Sequence, residues 1–251
     1  MRFKWFLICS FATQAYAQTH CFLKNKTTQH GEKLTYKVYY TLAGAYINAG
    51  EAVFSNQLEN WQNKTIYHLK GVGRTYSHYD WFFKVRDVYE SFVDTATMQS
   101  FKFVRDVHEG STRKYEHIMF NHKELRATTS NGLFTISPCT QDVLSMIYFA
   151  RNIDYSKYKA GDKIPYTLFI DDEVFHLYIK YVGTKQIKTP LGSFQTIVIK
   201  PLLVKGTIFS GGENMTVYVS QDKHKLPLLI ETSILVGKIK VYLTHTEGLK
   251  P

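Results

Sequence analysis

The sequence predicts an all-β protein: a large curved antiparallel sheet, open-barrel or sandwich-like, with one short helix near residues 140–151. Three observations lead there. Aromatic residues make up 15% of the 251-residue chain, with 18 Tyr and 17 Phe, and such side chains suit a half-buried pleated surface. Apolar and polar residues alternate with period two in segment after segment. The connections between these segments are short, which implies antiparallel neighbours, because parallel pairing needs crossovers of a dozen residues or more. An apolar content of 44% excludes a disordered chain. The lack of a sustained heptad excludes a coiled coil, and no apolar run reaches the roughly 18 residues of a spanning helix.

The first segment reads as a secretory signal. Arg2 and Lys4 precede the apolar stretch Trp5 to Ala12, followed by Ala15-Tyr16-Ala17 and polar Gln18-Thr19-His20. A basic start, a short apolar block and a small-x-small site, in that order, predict cleavage after Ala17. The expected layout is therefore a signal peptide at 1–17 and a single β-rich domain at 18–251. Bulky Ile8 before Cys9 argues against a lipoprotein signal. Cleavage discards Cys9 and keeps Cys21 and Cys139, and two cysteines in an oxidising compartment predict one disulfide between them. Such a bridge closes a loop of over a hundred residues, which the chain-entropy model values at about 4–5 kcal/mol.

Strand patterns then follow in two sets, about 31–137 and 160–247. The first runs through Leu34 to Tyr40, Ala49 to Leu58, Thr65 to Val72, Phe83 to Val93, Ser100 to Glu109, Arg113 to Asn121 and Lys123 to Thr129. The second runs through Lys163 to Ile170, Val174 to Val182, Phe194 to Lys200, Met215 to Val219, Leu226 to Leu235 and Lys238 to Thr244. Turn residues separate them, among them Asp171-Asp172, read as a solvated hairpin turn, Gly211-Gly212 and Val236-Gly237. Between the sets, Val143, Leu144, Ile147, Tyr148 and Arg151 fall on one helical face, with Thr140 as the expected N-cap. A further short helical turn is expected at Tyr79 to Phe82. No linker composition divides the chain.

Few motifs carry chemistry. The ten histidines show no H-E-x-x-H spacing and there is no C-x-x-C pair, so no metal site is expected. Neither a G-x-S-x-G elbow nor a glycine-rich phosphate loop is present, so no catalytic residues and no cofactor are assigned. The densest mixture of aromatic and charged residues is Asp80 to Asp94. As a strand it places Phe83, Val85, Asp87, Tyr89, Ser91 and Val93 on one face. A buried Asp there needs a partner, and Arg105 on the next strand, Arg74 or Arg113 can supply one. Asp87, Tyr89 and Arg105 are therefore the candidate ligand-binding residues, with a structural ion pair at Asp87 as the alternative.

The formal net charge of +10 falls to +8 when Arg2 and Lys4 leave with the signal. The remaining lysines are scattered over turns and edges, where they guard a sheet against edge-to-edge association. Nucleic-acid binding, which needs a clustered basic face, is not expected; peripheral attraction to an anionic envelope surface is compatible with the charge.

Several strings resemble one family. Gly31 to Tyr40, Ala49-Gly50-Glu51-Ala52, Val85 to Asp94, Glu109-Gly110, Asp142 to Arg151 and Ser220 to Pro227 are similar to the domain of unknown function 3108 family. The likeness implies an exported protein of a Gram-negative, Bacteroidetes-like bacterium and brings no catalytic residues. Taken together, the leading expectation is a non-enzymatic periplasmic or envelope-associated protein whose partner is an apolar small molecule, lipid or acyl chain. An envelope hydrolase with a site near Asp87 and Arg105, and an interaction module for outer-membrane assembly, are the alternatives.

Overall fold

The computed structural model describes residues 23–42, 45–205, 211–234 and 237–249. The expected signal segment, its expected cleavage site and Cys21 lie outside the described residues. The all-β expectation holds: one sheet takes in both strand sets. The first meander comprises β1 (Lys33–Leu42), β2 (Ala45–Trp61), β3 (Lys64–Thr75), β4 (Val85–Asp94), β5 (Ser100–Glu109), β6 (Thr112–Asn121), β7 (Arg126–Thr129) and β8 (Gly132–Thr135). Helix α1 (Val143–Ala150) follows. The second meander comprises β9 (Lys163–Ile170), β10 (Glu173–Thr189), β11 (Gly192–Pro201), β12 (Met215–Ser220), β13 (Pro227–Ser233) and β14 (Lys238–Glu247).

Every ladder between consecutive neighbours is antiparallel, and the two meanders are joined where β1 pairs with β14. The order β8-β7-β6-β5-β4-β3-β2-β1-β14-β13-β12-β11-β10-β9 leaves β8 and β9 as the two edges. A strongly twisted sheet of this many strands has to curl. Here the edges come together through side chains: Phe169 of β9 packs 6.1 Å from Phe120 of β6 and 5.6 Å from Phe134 of β8, centroid to centroid. The short strand β8 was not expected; four residues are too few for alternation to register. Strands β2 and β10 run to 17 residues each, well past the expected ends.

The helix starts later than the sequence predicts. Gln141 is still extended, donating its amide to Thr167 O and accepting from Phe169 N, both at 2.9 Å, as a parallel bridge beside β9. Asp142, not Thr140, is the N-cap: its Oδ1 accepts from the amides of Leu144 and Ser145 at 2.8 Å, while Ser145 Oγ accepts from Asp142 N. This capping box satisfies amides that the first turn leaves without partners. Ser91 Oγ of β4 donates to the same Oδ1 at 2.6 Å, fixing the helix start to the sheet. Gly71 on β3 permits the approach, since a Cβ there would sit 3.2 Å from Phe54 and 3.6 Å from Leu144. The helical turn expected at Tyr79 to Phe82 is a 3-10 turn at Ser77–Tyr79.

The other end of the helix is held by charge. Arg151 donates to both oxygens of Glu32, at 2.6 and 2.8 Å, and both side chains are buried. Arg151 also donates to the carbonyls of His224 and Thr27. Beside it, Asn152 Oδ1 accepts from the amides of Lys26 and Thr27. The segment before β1, the helix end and the β12–β13 turn thus meet at one guanidinium. Removing one partner of a buried pair strands the other charge, which costs about 3–5 kcal/mol. Arg151→Ala is expected to lose that much in urea unfolding, and an added Glu32→Ala is expected to cost far less than it does alone.

Candidate functional site

A cavity of about 490 Å³ lies between α1 and the inward face of the sheet. Its floor comes from the helix. Leu144, Ser145, Met146, Tyr148 and Phe149 are buried, whereas Ile147 is 39% exposed and faces the cavity with Val143 and Ala150. These three recur at i, i+4 and i+7, so one apolar stripe of the helix has no side chains packed fully over it. The walls are apolar residues of distant strands, among them Leu168, Leu177, Ile199 and Val217. Tyr148 also lines the cavity, and its hydroxyl is buried with no hydrogen-bond partner. Burial, then the Glu32 carboxylate, pushes that hydroxyl pKa well above the usual tyrosine range, so it stays protonated.

Polar groups gather at the mouth. Arg105 Nε lies 2.8 Å from Glu116 Oε2, and the Arg105 guanidinium also pairs with Asp171. Lys114 pairs with the same Asp171 oxygen, and Glu116 Oε1 accepts from Asp171 N at 2.8 Å. Next in the turn, Asp172 accepts from Thr129 Oγ1 at 2.7 Å and from Asn131 Nδ2 at 2.6 Å. The Asp171-Asp172 turn is therefore not simply solvated. It is the polar latch that ties the β9–β10 hairpin across the open seam to β5, β6 and the β7–β8 turn. Both residues have positive φ, 57° and 61°, the type I′ geometry of a two-residue hairpin, which Asp tolerates.

The three candidate residues divide between two places. Tyr89 and Arg105 line the cavity; burial raises the Tyr89 hydroxyl pKa, and Asp87 adds to the effect. Asp87 instead borders a separate groove of about 370 Å³ with Arg74, Arg86, Asp106, His108 and Arg113. Its Oδ1 accepts from His108 N at 3.1 Å. Among the described residues no ion pair joins it to Arg105, Arg74 or Arg113, so the expected salt bridge is absent. The reason is register: Arg105 stands opposite Tyr89 and reaches Glu116 and Asp171 on the far side. The helix stripe and the latch escaped the sequence reading, because only folding brings them to the same space. Cys139, with φ 64°, sits just ahead of the helix; its expected partner Cys21 lies outside the described residues.

With this geometry in hand, comparison places the chain. The profile of a family described as protein of unknown function, DUF3108, matches residues 35–244, from β1 to β14. The chain belongs to the DUF3108 family. No curated protein matches it. Among solved structures, the DUF3108 chain is similar to a β-barrel-like protein of domain of unknown function DUF1849 from Brucella abortus. That likeness has 10% identity and a TM-score of 0.58, covers 89% of this chain and 100% of the other, and shows the fold. Two further likenesses are weaker. A candidate lipoprotein from Parabacteroides distasonis is 12% identical, with TM-score 0.40 over 90% of this chain and 99% of that one. A candidate exported protein with a YmcC-like fold from Bacteroides fragilis is 11% identical, with TM-score 0.35 over 90% and 100%.

The Asp87 carboxyl supplies a pH test. Burial, reinforced by the Glu109 charge and opposed by the His108 amide, pushes its pKa from 3.8 to about 6. The folded state thus binds the proton more tightly than the unfolded one. Its contribution to stability is present below about pH 4 and is lost as pH rises through about 6. Asp87→Asn keeps the oxygen that accepts from His108 and removes the charge. Chemical unfolding is expected to show a gain of about 1–2 kcal/mol at pH 7, discounted for solvent screening, and no gain near pH 4.

Proposed function

We propose that this DUF3108 protein is an exported, envelope-associated carrier that holds an apolar ligand, an acyl chain or lipid, in the cavity and performs no catalysis. The observation that carries the reading is the Val143–Ile147–Ala150 stripe facing about 490 Å³ of space. Ligand pockets fall in the range of about 300–1,000 Å³, mostly apolar with a few placed polar groups. The Tyr148 hydroxyl offers one such group deep in the cavity. Arg105 and Lys114, with their carboxylate partners, offer a charged rim for a polar head. The latch at the rim is built of side-chain contacts and not of a strand ladder, so the rim can open for exchange without breaking a ladder between strands.

The hydrolase reading gains nothing from the arrangement. Asp87 is engaged by the His108 backbone amide, and Arg105 by two carboxylates at the cavity mouth. Export with cleavage after Ala17 and the Cys21–Cys139 bridge remain part of the proposal, resting on the sequence pattern and the cysteine positions.

Native mass spectrometry with solvent extraction of gently purified protein is expected to reveal a bound acyl-chain species. Delipidated protein is expected to bind a dansylated fatty acid at one site. Leu177→Trp, which fills the cavity from β10, should weaken that binding about tenfold or more, equivalent to about 1.4 kcal/mol, with circular dichroism unchanged. Wild-type protein that carries no ligand and binds no probe would remove the reading.

A further inference from the structure

The sheet has two ends, and they are unlike. Strand direction places the first residues of β2, β4, β6, β8, β10, β12 and β14 at one end, which is also the cavity mouth. Thr41 opposite Lys238 and the Asp171 contacts to β5 and β6 confirm that alignment. The five most exposed large apolar side chains among the described residues all lie there: Trp81 at 83%, Tyr115 at 69%, Phe82 and Leu133 at 61%, and Tyr46 at 51%. Scattered exposed apolar residues need no explanation, but a set gathered at one end does.

The most prominent element is the β3–β4 connection carrying Trp81-Phe82-Phe83. It is braced from behind, not loose. Phe82 packs 6.4 Å from Tyr40, and Gly110 of the β5–β6 turn leaves room for Phe83, where a Cβ would come within 2.8 Å of the ring. Gly110 N donates to Lys84 O at 2.8 Å. Residues on the other side of that turn, Glu109 and Thr112, line the cavity. The aromatic tip is thus held beside the cavity mouth.

Charge on the outer face points to the partner. Arg74 stands opposite Arg86, Arg86 opposite His108, and His108 opposite Arg113, a cross-strand row of bases one or two residues from the same end. Alternation puts this row on the face away from Tyr89, Arg105 and Val107. Like groups set directly opposite are unfavourable unless anions offset them. Glu51 and Asp80 do so at the Arg74 and Arg86 end, and Asp106 borders the groove.

We infer that the mouth end docks on an anionic phospholipid surface, with Trp81 and Phe82 at headgroup depth and Arg113, which has no ion pair among the described residues whereas Arg74 and Arg86 are held by Glu51 and Asp80, against lipid phosphates. Amphipathic aromatic rings favour this depth, and basic side chains near it add electrostatic attraction. The cavity mouth then faces the lipid phase. This surface lies outside the cavity, so it stands or falls separately from the carrier reading.

Vesicle flotation decides it. Wild-type protein is expected to float with phosphatidylglycerol–phosphatidylethanolamine vesicles and weakly with phosphatidylcholine vesicles. Trp81→Ser/Phe82→Ser should reduce binding to the anionic vesicles about tenfold, and Arg113→Glu should reduce it in a way that raised salt mimics in the wild type. Both variants should bind the dansylated fatty acid normally without vesicles, which shows that they are folded and that the cavity is intact. Wild-type protein that stays with the non-floating fraction while binding the probe overturns the docking surface and leaves the carrier reading standing. Variants that float like wild type also overturn it, as does exposed-tip self-association in ultracentrifugation that Trp81→Ser abolishes without lipid. Flotation without probe binding supports the surface and rejects the carrier.

Discussion

The pairing of Arg151 with Glu32 sets the position of everything inside the sheet. Burial works against the Arg151 charge, and the hydrogen bonds and charge of Glu32 more than offset it, so the guanidinium stays protonated where water does not reach. Because the same guanidinium also takes the carbonyls of Thr27 and His224, it joins three segments far apart in sequence. At the other end of the helix, the Asp142 cap is shared with Ser91 of β4. A helix of two turns has little stability of its own. Held at both ends, it cannot settle deeper into the sheet, and the space above its Val143–Ile147–Ala150 stripe persists as a cavity.

The second constraint is the seam. Fourteen antiparallel strands curl until their edges meet, yet β8 and β9 share no ladder. The chain closes the gap with different interactions at different depths. Phe120, Phe134 and Phe169 fill the interior, Gln141 bridges to β9 as the chain enters the helix, and Asp171 with Asp172 latches the rim. Covering an edge in this way shields unpaired backbone groups of an edge strand from solvent. The solved DUF1849 structure with a similar fold is also described as β-barrel-like.

The candidate site opens toward the end of the sheet that the helix leaves unfilled. The latch, the polar rim and the most exposed aromatics all lie toward the mouth end, on its turns and on the adjoining strand residues, whereas the opposite half is filled by the helix and its buried pair. The difference follows from how the helix enters, packing its capped start against mid-β4 and its C-terminus below β1. One end of the sheet is plugged and the other is open.

Much of the strand pattern was legible in the sequence because alternation is local: each strand with six or more residues shows its own two faces. Asp87, Tyr89 and Arg105 were legible as unusual residues on one such face, and Tyr89 and Arg105 do line the cavity. Asp87 differs because its surroundings depend on which cross-strand neighbour reaches it, and that neighbour is the His108 amide. The helix was legible from its apolar spacing, but its first residue was decided by Gln141 bonding to β9, a contact that local pattern does not contain. By itself the sequence determined an antiparallel sheet, an interrupting helix and the aromatic stock for a core, all set by short-range periodicity. Only the tertiary structure decided that Asp171 and Asp172 act as a latch, that Arg151 finds Glu32, and that one helical stripe is left facing the cavity. Those outcomes depend on how far the sheet curls, a property of all the strands together.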